Sequence, residues 1–258
     1  MSLQKVKNFT FQMIHRKTFL NINSNTFSNF PFNAENKKAL HKATQIRFFR
    51  PKEHHTIAGW LTPIERQTLY SLAFSMSGPI LEIGAWAGLS TTAIARGVKD
   101  SKRLCQFDSI ELNPTLNNFK SYQDKVGFFV PGDNLPHGTC TTEFYNKEIR
   151  PVLEQDGGVA GVLKRNLEKL KLSQFVNIHF SDFHQIKPSH YNFVFCDALH
   201  DEAEIVKNAP HLKKFLNQGA ILACHDVGNN PNLIKILKEF IPLGAGTSVD
   251  SLYIAEMV

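Results

Sequence analysis

The chain has 258 residues, enough for one large domain with an extension. Its hydrophobic content of 42% is typical of a globular protein, and it has no apolar run of the roughly 18 residues that a membrane helix needs. Cysteines 105, 140, 196 and 224 are scattered without a C-x-x-C pair, which argues against a disulfide framework and favours a reducing compartment. We therefore expect a cytoplasmic protein without a membrane segment.

The net charge of +6 is unevenly distributed, because residues 1–60 carry +8 and the remainder carries −2. Residues 1–61 show no clean periodicity but contain several phenylalanines, so we interpret them as a basic N-terminal extension that packs on the main domain or on a second subunit. A homo-oligomer formed through this extension is one expectation. A basic arm can also bind a polyanion such as nucleic acid, although a solvated extension is the simpler interpretation.

The main domain is predicted to begin at Thr62, because Thr62, Pro63 and Glu65 form a strong helix start, and this helix should run to about Ser77. Strands and helices then alternate. The predicted strands are Ile80–Ile83, Arg103–Phe107, Val176–Phe180, Tyr191–Cys196 and Ala220–Cys224. The predicted helices are Ser90–Val98, Val159–Leu172, Glu202–Leu216 and Pro231–Phe240. Two late runs, Gly246–Val249 and Leu252–Glu256, are close enough to form a hairpin.

These repeated βα units predict an α/β fold with a Rossmann-like, doubly wound, mainly parallel seven-stranded sheet and a terminal antiparallel hairpin. Right-handed crossovers bring the carboxyl ends of the parallel strands to one edge, where ligands bind. Residues 62–258 would form this domain. Residues 112–150 have weak patterning and several prolines and glycines, so we interpret them as an insertion that forms a lid over the site, with a disordered insertion as the alternative.

A strand, a tight turn and a helix start follow one another in residues 80–91. The pattern is E-x-G-x-x-x-G, with Glu82 on the strand and Ser90 opening the helix. Such a turn lets a ligand approach the backbone closely. A dinucleotide fingerprint has a third glycine that is missing here, which counts against an NAD(P)-dependent oxidoreductase. That enzyme class and an ordinary βα turn remain the alternatives at this point.

Acidic residues recur at the predicted strand ends, namely Glu82, Asp108, Asp182, Asp197 and Asp226. Asp108 lies twenty residues after Gly88, the spacing of a carboxylate that binds ribose hydroxyls. Glu111 is the alternative if the strand ends later. Asp182 is placed to meet an adenine amino group or simply to cap its loop.

Asp197 and Asp226 end neighbouring predicted strands, so their carboxylates are expected to converge on one cation, with Mg²⁺ as the expected ion and His225 or Asn229 completing the shell. The alternative is that these carboxylates only orient loops. His200 follows Asp197 by three residues and is the candidate general base, because an unperturbed imidazole suits proton removal from a hydroxyl.

Several of these segments resemble one enzyme family. Residues 80–91 resemble motif I of the class I S-adenosylmethionine-dependent methyltransferases, and residues 105–111 resemble the F-D-S-F-E segment of the macrocin-type O-methyltransferases. Residues 197–202 and 219–227 resemble the D-x-x-H and G-G-x-hydrophobic-H-D-V segments of the related small-molecule enzymes, which include the catechol O-methyltransferases. The resemblance covers about residues 62–258. It departs at Ile110, at the long insertion, and at Val227, where the catechol enzymes have asparagine.

The resemblance implies methyl transfer from S-adenosylmethionine to a hydroxyl of a small molecule, such as a sugar, a polyketide or a catechol-like compound. Nucleic acid is a less favoured acceptor, because no Asn-Pro-Pro-Tyr-like segment follows the fourth strand. A non-catalytic protein on a methyltransferase-like core is the remaining alternative. The predicted catalytic residues are His200 and Asp197. The predicted cofactor-binding residues are Glu82, Gly84, Ala85, Trp86, Gly88, Ser90, Asp108, Ser109, Asp182 and Asp197, and the predicted metal ligands are Asp197, Asp226 and His225.

Overall fold

The structure is a computed structural model that describes residues 56–258, apart from Pro131 and Asp133. Most of the predicted N-terminal extension, with its expected role in self-association, therefore lies outside the described residues. Within the described part of the chain, no helix has the length and apolar character needed to cross a membrane.

The described elements alternate as predicted. The strands are β1 (Ile80–Ile83), β2 (Phe107–Glu111), β3 (Phe119–Tyr122), β4 (Lys125–Phe128), β5 (Gly138–Cys140), β6 (Asn177–Phe180), β7 (Tyr191–Cys196), β8 (Leu216–Cys224), β9 (Leu243–Val249) and β10 (Leu252–Met257). The helices are α1 (Pro63–Ser75), α2 (Leu89–Ser101), α3 (Thr142–Phe144), α4 (Arg150–Leu153), α5 (Gly158–Lys169), α6 (Glu202–Leu212) and α7 (Pro231–Phe240).

Seven strands form the main sheet, in the order β6-β2-β1-β7-β8-β10-β9. The first five of these pair in parallel, whereas β10 runs antiparallel to both β8 and β9. This confirms the predicted doubly wound sheet and its terminal hairpin. Chain order reverses between β1 and β7, so a crevice opens beyond the carboxyl ends of these strands, where open α/β sheets bind ligands.

Successive side chains of the central strands point to opposite faces of the sheet, and an apolar layer covers each face. Ile80, Phe193 and Ile221 belong to the layer that includes residues of α1, α2 and α5. Leu81 and Val194 belong to the opposite layer, which includes residues of α6 and α7. Because both faces of the sheet are covered, the strands are almost continuously apolar, as expected for a parallel sheet.

Helix α1 begins as predicted. Thr62 is its N-cap, Pro63 is its first residue, and Thr62 and Glu65 form a reciprocal capping box. The helix ends at Ser75, two residues before the predicted end. Glu65 is completely buried, so its carboxylate is held in one position at the start of the domain.

The predicted bounds of β2 are wrong. The strand runs from Phe107 to Glu111 instead of Arg103 to Phe107, and Ile80 pairs with Phe107 in register. Leu104, which reads as a strand residue, is fully exposed. As a result Asp108 lies inside the strand, and Glu111 is the residue at its carboxyl end.

The insertion between β2 and α5 is folded in its described part. Strands β3, β4 and β5 form a separate antiparallel sheet, and α3, a π-helical turn (Tyr145–Ile149) and α4 follow it. The rings of Phe119 and Phe128 lie 5.2 Å apart across β3 and β4. Because Phe119 also contacts Tyr145 at 5.3 Å, the small sheet packs against the helical segment that joins it to the core.

Candidate functional site

A cavity of about 750 Å³ lies beyond the carboxyl ends of β1, β2, β7 and β8. Its floor is formed by the residues that follow these strands, and the insertion supplies one wall. The cavity thus occupies the crevice where the strand order reverses, and its volume is within the usual range for a small-molecule site.

The turn after β1 forms part of this floor. Gly84 has a φ of +89°, and a Cβ atom at this position would lie 2.6 Å from the carbonyl oxygen of Asp197. Trp86 also has a positive φ of +48°, and both residues line the cavity. Gly88 has a φ of +92° and packs against Leu163, so it sets the approach of α2 and α5. Ala85 is buried within the turn.

Glu82 lies beneath this turn and does not line the cavity. Its carboxylate is completely buried. It accepts hydrogen bonds from Thr91 Oγ1 at 2.7 Å and Ser109 Oγ at 2.6 Å, and the Ser90 side chain is a further donor. Its Oε1 atom has no partner among the described residues. Burial raises the pKa of Glu82 to about 7, although these hydroxyl groups lower it in part.

Of the two acids on β2 that were considered for ribose binding, Glu111 faces the cavity and Asp108 does not. The prediction that Asp108 ends the strand is wrong, because the strand continues to Glu111. The Asp108 carboxylate accepts hydrogen bonds from Gln106, Asn177 and Tyr191 within the sheet and does not line the cavity. Ser109 likewise points to Glu82. Glu111, the stated alternative, lines the cavity.

Backbone N–H groups hold the Glu111 carboxylate in the cavity floor. It accepts hydrogen bonds from the N–H groups of Trp86 at 2.7 Å and Asn113 at 2.9 Å, with a further bond from Ala85. Burial raises the pKa of Glu111 above its usual value, and these three bonds offset the effect only in part. A carboxylate has about four acceptor positions, so one remains for a ligand hydroxyl.

Asp182 follows β6 and caps its loop, which is one of the two alternatives expected from the sequence. It lines the cavity, and its side chain caps the short helical turn Phe183–Gln185 by accepting from the backbone N–H of His184 at 2.9 Å. The same carboxylate oxygen lies 3.1 Å from His184 Nδ1. Capping therefore fixes the position of Asp182 at the cavity wall.

Asp197, His200, His225 and Asp226 come together at the ends of β7 and β8, as predicted. Asp197 Oδ1 lies 3.1 Å from His225 Nδ1 and 3.4 Å from His200 Nε2. His225 Nδ1 is also 3.5 Å from Asp226 Oδ1. All four residues line the cavity.

Carboxylates surround both imidazoles, and this controls their protonation. Burial alone would lower the pKa of His200, but Asp197 and Glu204 raise it to about 11. Burial alone would also lower the pKa of His225, but Asp197 and Glu65 raise it to about 10. Burial would raise the pKa of Asp197, yet the two histidines hold it well below its usual range. The facing carboxylates therefore favour the protonated form of both histidines.

His200, the candidate general base, has a carboxylate facing each of its ring nitrogens. Its Nδ1 lies 2.7 Å from Glu204 Oε2, and its Nε2 faces Asp197, so both nitrogens are engaged. Glu204 was not identified from the sequence, although its position four residues after His200, close to the start of α6, brings the two side chains together.

Three donor atoms in this cluster lie close enough to hold one metal ion. They belong to Asp197, His225 and Asp226, and they lie within 4.8 Å of one another. Asp226 has a φ of +62°, which turns its backbone at the strand end. Asn229, the other suggested ligand, is not among the residues that line the cavity. The donor set of two carboxylates and one imidazole fits a divalent cation.

Three aromatic side chains contact one another at the rim of the cavity, and only Trp86 was among the site residues predicted from the sequence. Trp60 stacks on Trp86 with ring centroids 5.9 Å apart, and Phe144 lies 5.6 Å from Trp60. These rings come from the segment before α1, the turn after β1 and helix α3. Three distant parts of the chain therefore meet at the rim, a contact that local sequence patterns do not reveal.

Comparison with known proteins gives a family match. The model of the methyltransferase domain family matches residues 81–227, which include β1, β2, β6, β7 and β8. No curated protein matches the chain.

Solved structures with similar folds include a methyltransferase from Podospora anserina bound to S-adenosylhomocysteine, which is 11% identical, with a TM-score of 0.49 and coverage of 100% of this chain and 97% of that one. An O-methyltransferase from Bacillus cereus, in complex with the same compound, is 15% identical, with a TM-score of 0.46 and coverage of 86% and 90%. The family match spans more than half of the chain and includes the glycine turn, Glu111, Asp197 and His225. The chain therefore belongs to the methyltransferase domain family.

Proposed function

We propose that the protein transfers a methyl group from S-adenosylmethionine to a hydroxyl group of a small molecule. The observation that carries the proposal is that one cavity is lined both by the glycine turn with Glu111 and by the Asp197–His200–His225–Asp226 cluster. The first group suits the cofactor, and the second suits the acceptor hydroxyl.

The cofactor half of the cavity has three features that fit S-adenosylmethionine. Gly84 leaves room for close approach to the backbone, and Glu111 has an acceptor position for a ribose hydroxyl. Glu82 lies beneath the turn, outside the cavity, and its hydrogen bonds with Thr91 and Ser109 support the turn from behind. Asp182 on the neighbouring wall is the proposed contact for the adenine amino group.

Methyl transfer needs alignment and the removal of one proton. The acceptor oxygen forms the new bond to the methyl carbon, the carbon–sulfur bond breaks with its electron pair retained by sulfur, and the hydroxyl proton leaves to a base. Glu204 holds His200 Nδ1, so Nε2 is the atom that exchanges a proton with the acceptor side. Because Nε2 also faces Asp197, this role requires that Asp197 be engaged elsewhere.

A divalent cation would be held by Asp197, His225 and Asp226. When bound, such a cation lowers the pKa of a coordinated hydroxyl and orients it. Its binding would engage the Asp197 carboxylate, which otherwise faces His200 Nε2.

The walls of the cavity favour an acceptor with an aromatic ring over a sugar. Phe119, Phe128 and Phe144 from the insertion face the cavity together with Trp60 and Trp86. Aromatic surfaces of this kind contribute most when they contact another planar apolar surface. A catechol-like compound therefore fits this cavity best among the acceptors that the resemblance implies.

The proposal is tested by the formation of S-adenosylhomocysteine from S-adenosylmethionine in the presence of catechol-type and sugar acceptors. Asp197→Asn and Asp226→Asn should each lower turnover at least 10-fold, because each removes a charged cation ligand. Both variants should retain cofactor binding. Full activity in both variants would contradict the assigned acceptor half of the cavity.

A further inference from the structure

His225 is the buried centre of the cluster, and each of its ring nitrogens faces carboxylate oxygens. Nδ1 faces the cavity side, 3.1 Å from Asp197 Oδ1 and 3.5 Å from Asp226 Oδ1. Nε2 points away from these atoms and lies 3.7 Å from Glu65 Oε2. The side chain is only 6% exposed, so the ring has little freedom to turn.

Three hydrogen bonds fix the carboxylate of Glu65. Its Oε2 accepts from the backbone N–H of Thr62 at 2.7 Å. Its Oε1 accepts from the backbone N–H and the hydroxyl of Ser251, at 2.8 and 2.7 Å. The start of α1 and the turn before β10 thus hold this carboxylate beside His225 Nε2.

We propose that Asp197, His225 and Asp226 bind a first-row transition cation in preference to Mg²⁺, with His225 Nδ1 as a ligand and Glu65 as the residue that positions it. This inference rests on the proposed function and deepens it, because it specifies the class of cation. Imidazole nitrogen suits iron, cobalt, nickel and zinc, whereas Mg²⁺ prefers oxygen ligands. The Mg²⁺ expected from the sequence is therefore replaced by a softer ion.

The spacing of the donor atoms agrees with this assignment. Ligands held about 2.1 Å from one ion lie roughly 3.0–3.4 Å from each other in octahedral or tetrahedral geometry. The two distances from His225 Nδ1 are 3.1 and 3.5 Å. All three donor atoms lie within 4.8 Å of one another, so a contraction of this spacing would bring them around one ion.

The surrounding charges also favour a cation. Glu65, Asp197, Glu204 and Asp226 place four carboxylates around the imidazoles of His200 and His225. A carboxylate that accepts the outer N–H of a metal-bound histidine fixes its tautomer and raises its basicity. Glu65 Oε2 lies 3.7 Å from Nε2, a charge contact that is longer than a hydrogen bond. This carboxylate favours a proton on Nε2, so Nδ1 is the nitrogen left for the ion.

The test uses the full-length protein, freed of metal by chelation and titrated with Co²⁺ alone and with Mg²⁺ alone. Calorimetry gives the two affinities, and the visible absorption of Co²⁺ reports its ligands. His225→Asn places an amide oxygen close to the position of Nδ1 without adding charge. This variant should lower the ratio of Co²⁺ to Mg²⁺ affinity at least 10-fold and change the Co²⁺ spectrum.

Glu65→Gln tests the positioning role, and it should weaken Co²⁺ binding about 10- to 100-fold. A general structural defect would weaken both ions alike, whereas the proposal requires the affinity ratio to fall. Glu202→Gln, which neutralises an exposed carboxylate on the first turn of α6, should leave both affinities within about twofold of the wild type. If Glu65→Gln does not fold, the His225→Asn ratio decides the proposal alone.

An unchanged ratio in His225→Asn would overturn the proposal, as would the failure of Co²⁺ to bind the wild-type protein. S-adenosylhomocysteine binding, measured on the same samples, separates this failure from that of the proposed function. If the wild-type protein binds S-adenosylhomocysteine and His225→Asn leaves the ratio of Co²⁺ to Mg²⁺ affinity unchanged, only the cation assignment is contradicted. If the wild-type protein binds neither S-adenosylhomocysteine nor Co²⁺, the proposed function is contradicted as well.

Discussion

Asp108 and Glu111 lie three residues apart on β2 and have different surroundings. The Asp108 carboxylate is held by side chains of neighbouring strands, whereas Glu111 is held by backbone N–H groups of the glycine turn. Only Glu111 lines the cavity. The choice between them decides which acid binds the cofactor ribose in the proposed function.

Replacing Glu111 by glutamine should weaken S-adenosylhomocysteine binding by about 1.5–3 kcal/mol, or roughly 10- to 150-fold, because hydrogen bonds to a charged group are lost. Asp108→Asn is the matched control and should leave the affinity within about threefold of the wild type. Calorimetry on folded samples measures both. A larger loss in Asp108→Asn than in Glu111→Gln would reverse the assignment.

The buried carboxyl group of Glu82 should make the free energy of unfolding depend on pH. Its pKa is about 7 in the folded protein and 4.5 in the reference state, so the folded state holds the proton more tightly. The stabilisation from this proton is complete below pH 4.5 and is lost as the pH rises toward 7. The loss should amount to roughly 3 kcal/mol.

Urea unfolding at several pH values, in the wild type and in Glu82→Gln, measures this contribution. Other groups also titrate in this range, so the informative quantity is the difference between the two proteins. Relative to Glu82→Gln, the wild type should lose stability between pH 4.5 and 7. Parallel stability curves would show that Glu82 does not retain its proton in the folded state.

At the scale of elements, the contact between α1 and α2 depends on Gly97. A Cβ atom there would lie 2.5 Å from the carbonyl oxygen of Tyr70 and 2.9 Å from Ala73 Cβ. Gly97→Ala gains about 1 kcal/mol of helix propensity, but the clash with backbone costs about 1–3 kcal/mol. We therefore expect net destabilisation in thermal or urea unfolding.

Gly138→Ala provides the control for this prediction, because a Cβ atom at Gly138 meets nothing within 4 Å. Its effect on the free energy of unfolding should stay within about 0.5 kcal/mol. If Gly97→Ala were as stable as Gly138→Ala, the two helices would be less closely packed than the structure describes.

The aromatic contact between Trp60, Trp86 and Phe144 joins three elements at the cavity rim. The chain contains only two tryptophans, and both belong to this contact. Intrinsic fluorescence should therefore change when S-adenosylhomocysteine binds. In Trp60→Phe the remaining signal from Trp86, beside the glycine turn, should still respond. An unchanged spectrum at saturating ligand would contradict the proximity of Trp86 to the cofactor.

Most elements were predictable from the sequence because their signals are local. The capping box at Thr62 and the apolar run of β7 are examples, and both have the predicted start. The predicted bounds of β2 were wrong because a buried strand is expected to be apolar, whereas this strand contains the polar residues Asp108, Ser109 and Glu111. They are buried because partners on other strands and the glycine turn satisfy them, and no local pattern contains those partners.

At the scale of the whole molecule, the sheet edge was predictable and the contacts behind it were not. Parallel strands bring their carboxyl ends together, so Asp197 and His225 were expected to meet. Glu65 is 160 residues from His225 in the sequence and reaches it only through the packing of α1 against the turn before β10. Side chains that position the site from behind are therefore visible only in the folded structure.

In the proposed function, the glycine turn and Glu111 form the site for S-adenosylmethionine in this methyltransferase-family protein. Calorimetric titration of the full-length protein with S-adenosylhomocysteine, and separately with NAD, tests it most directly. We predict saturable binding of S-adenosylhomocysteine at one site, with a rise in Tm, and no binding of NAD. Binding of NAD without binding of S-adenosylhomocysteine would contradict the claim.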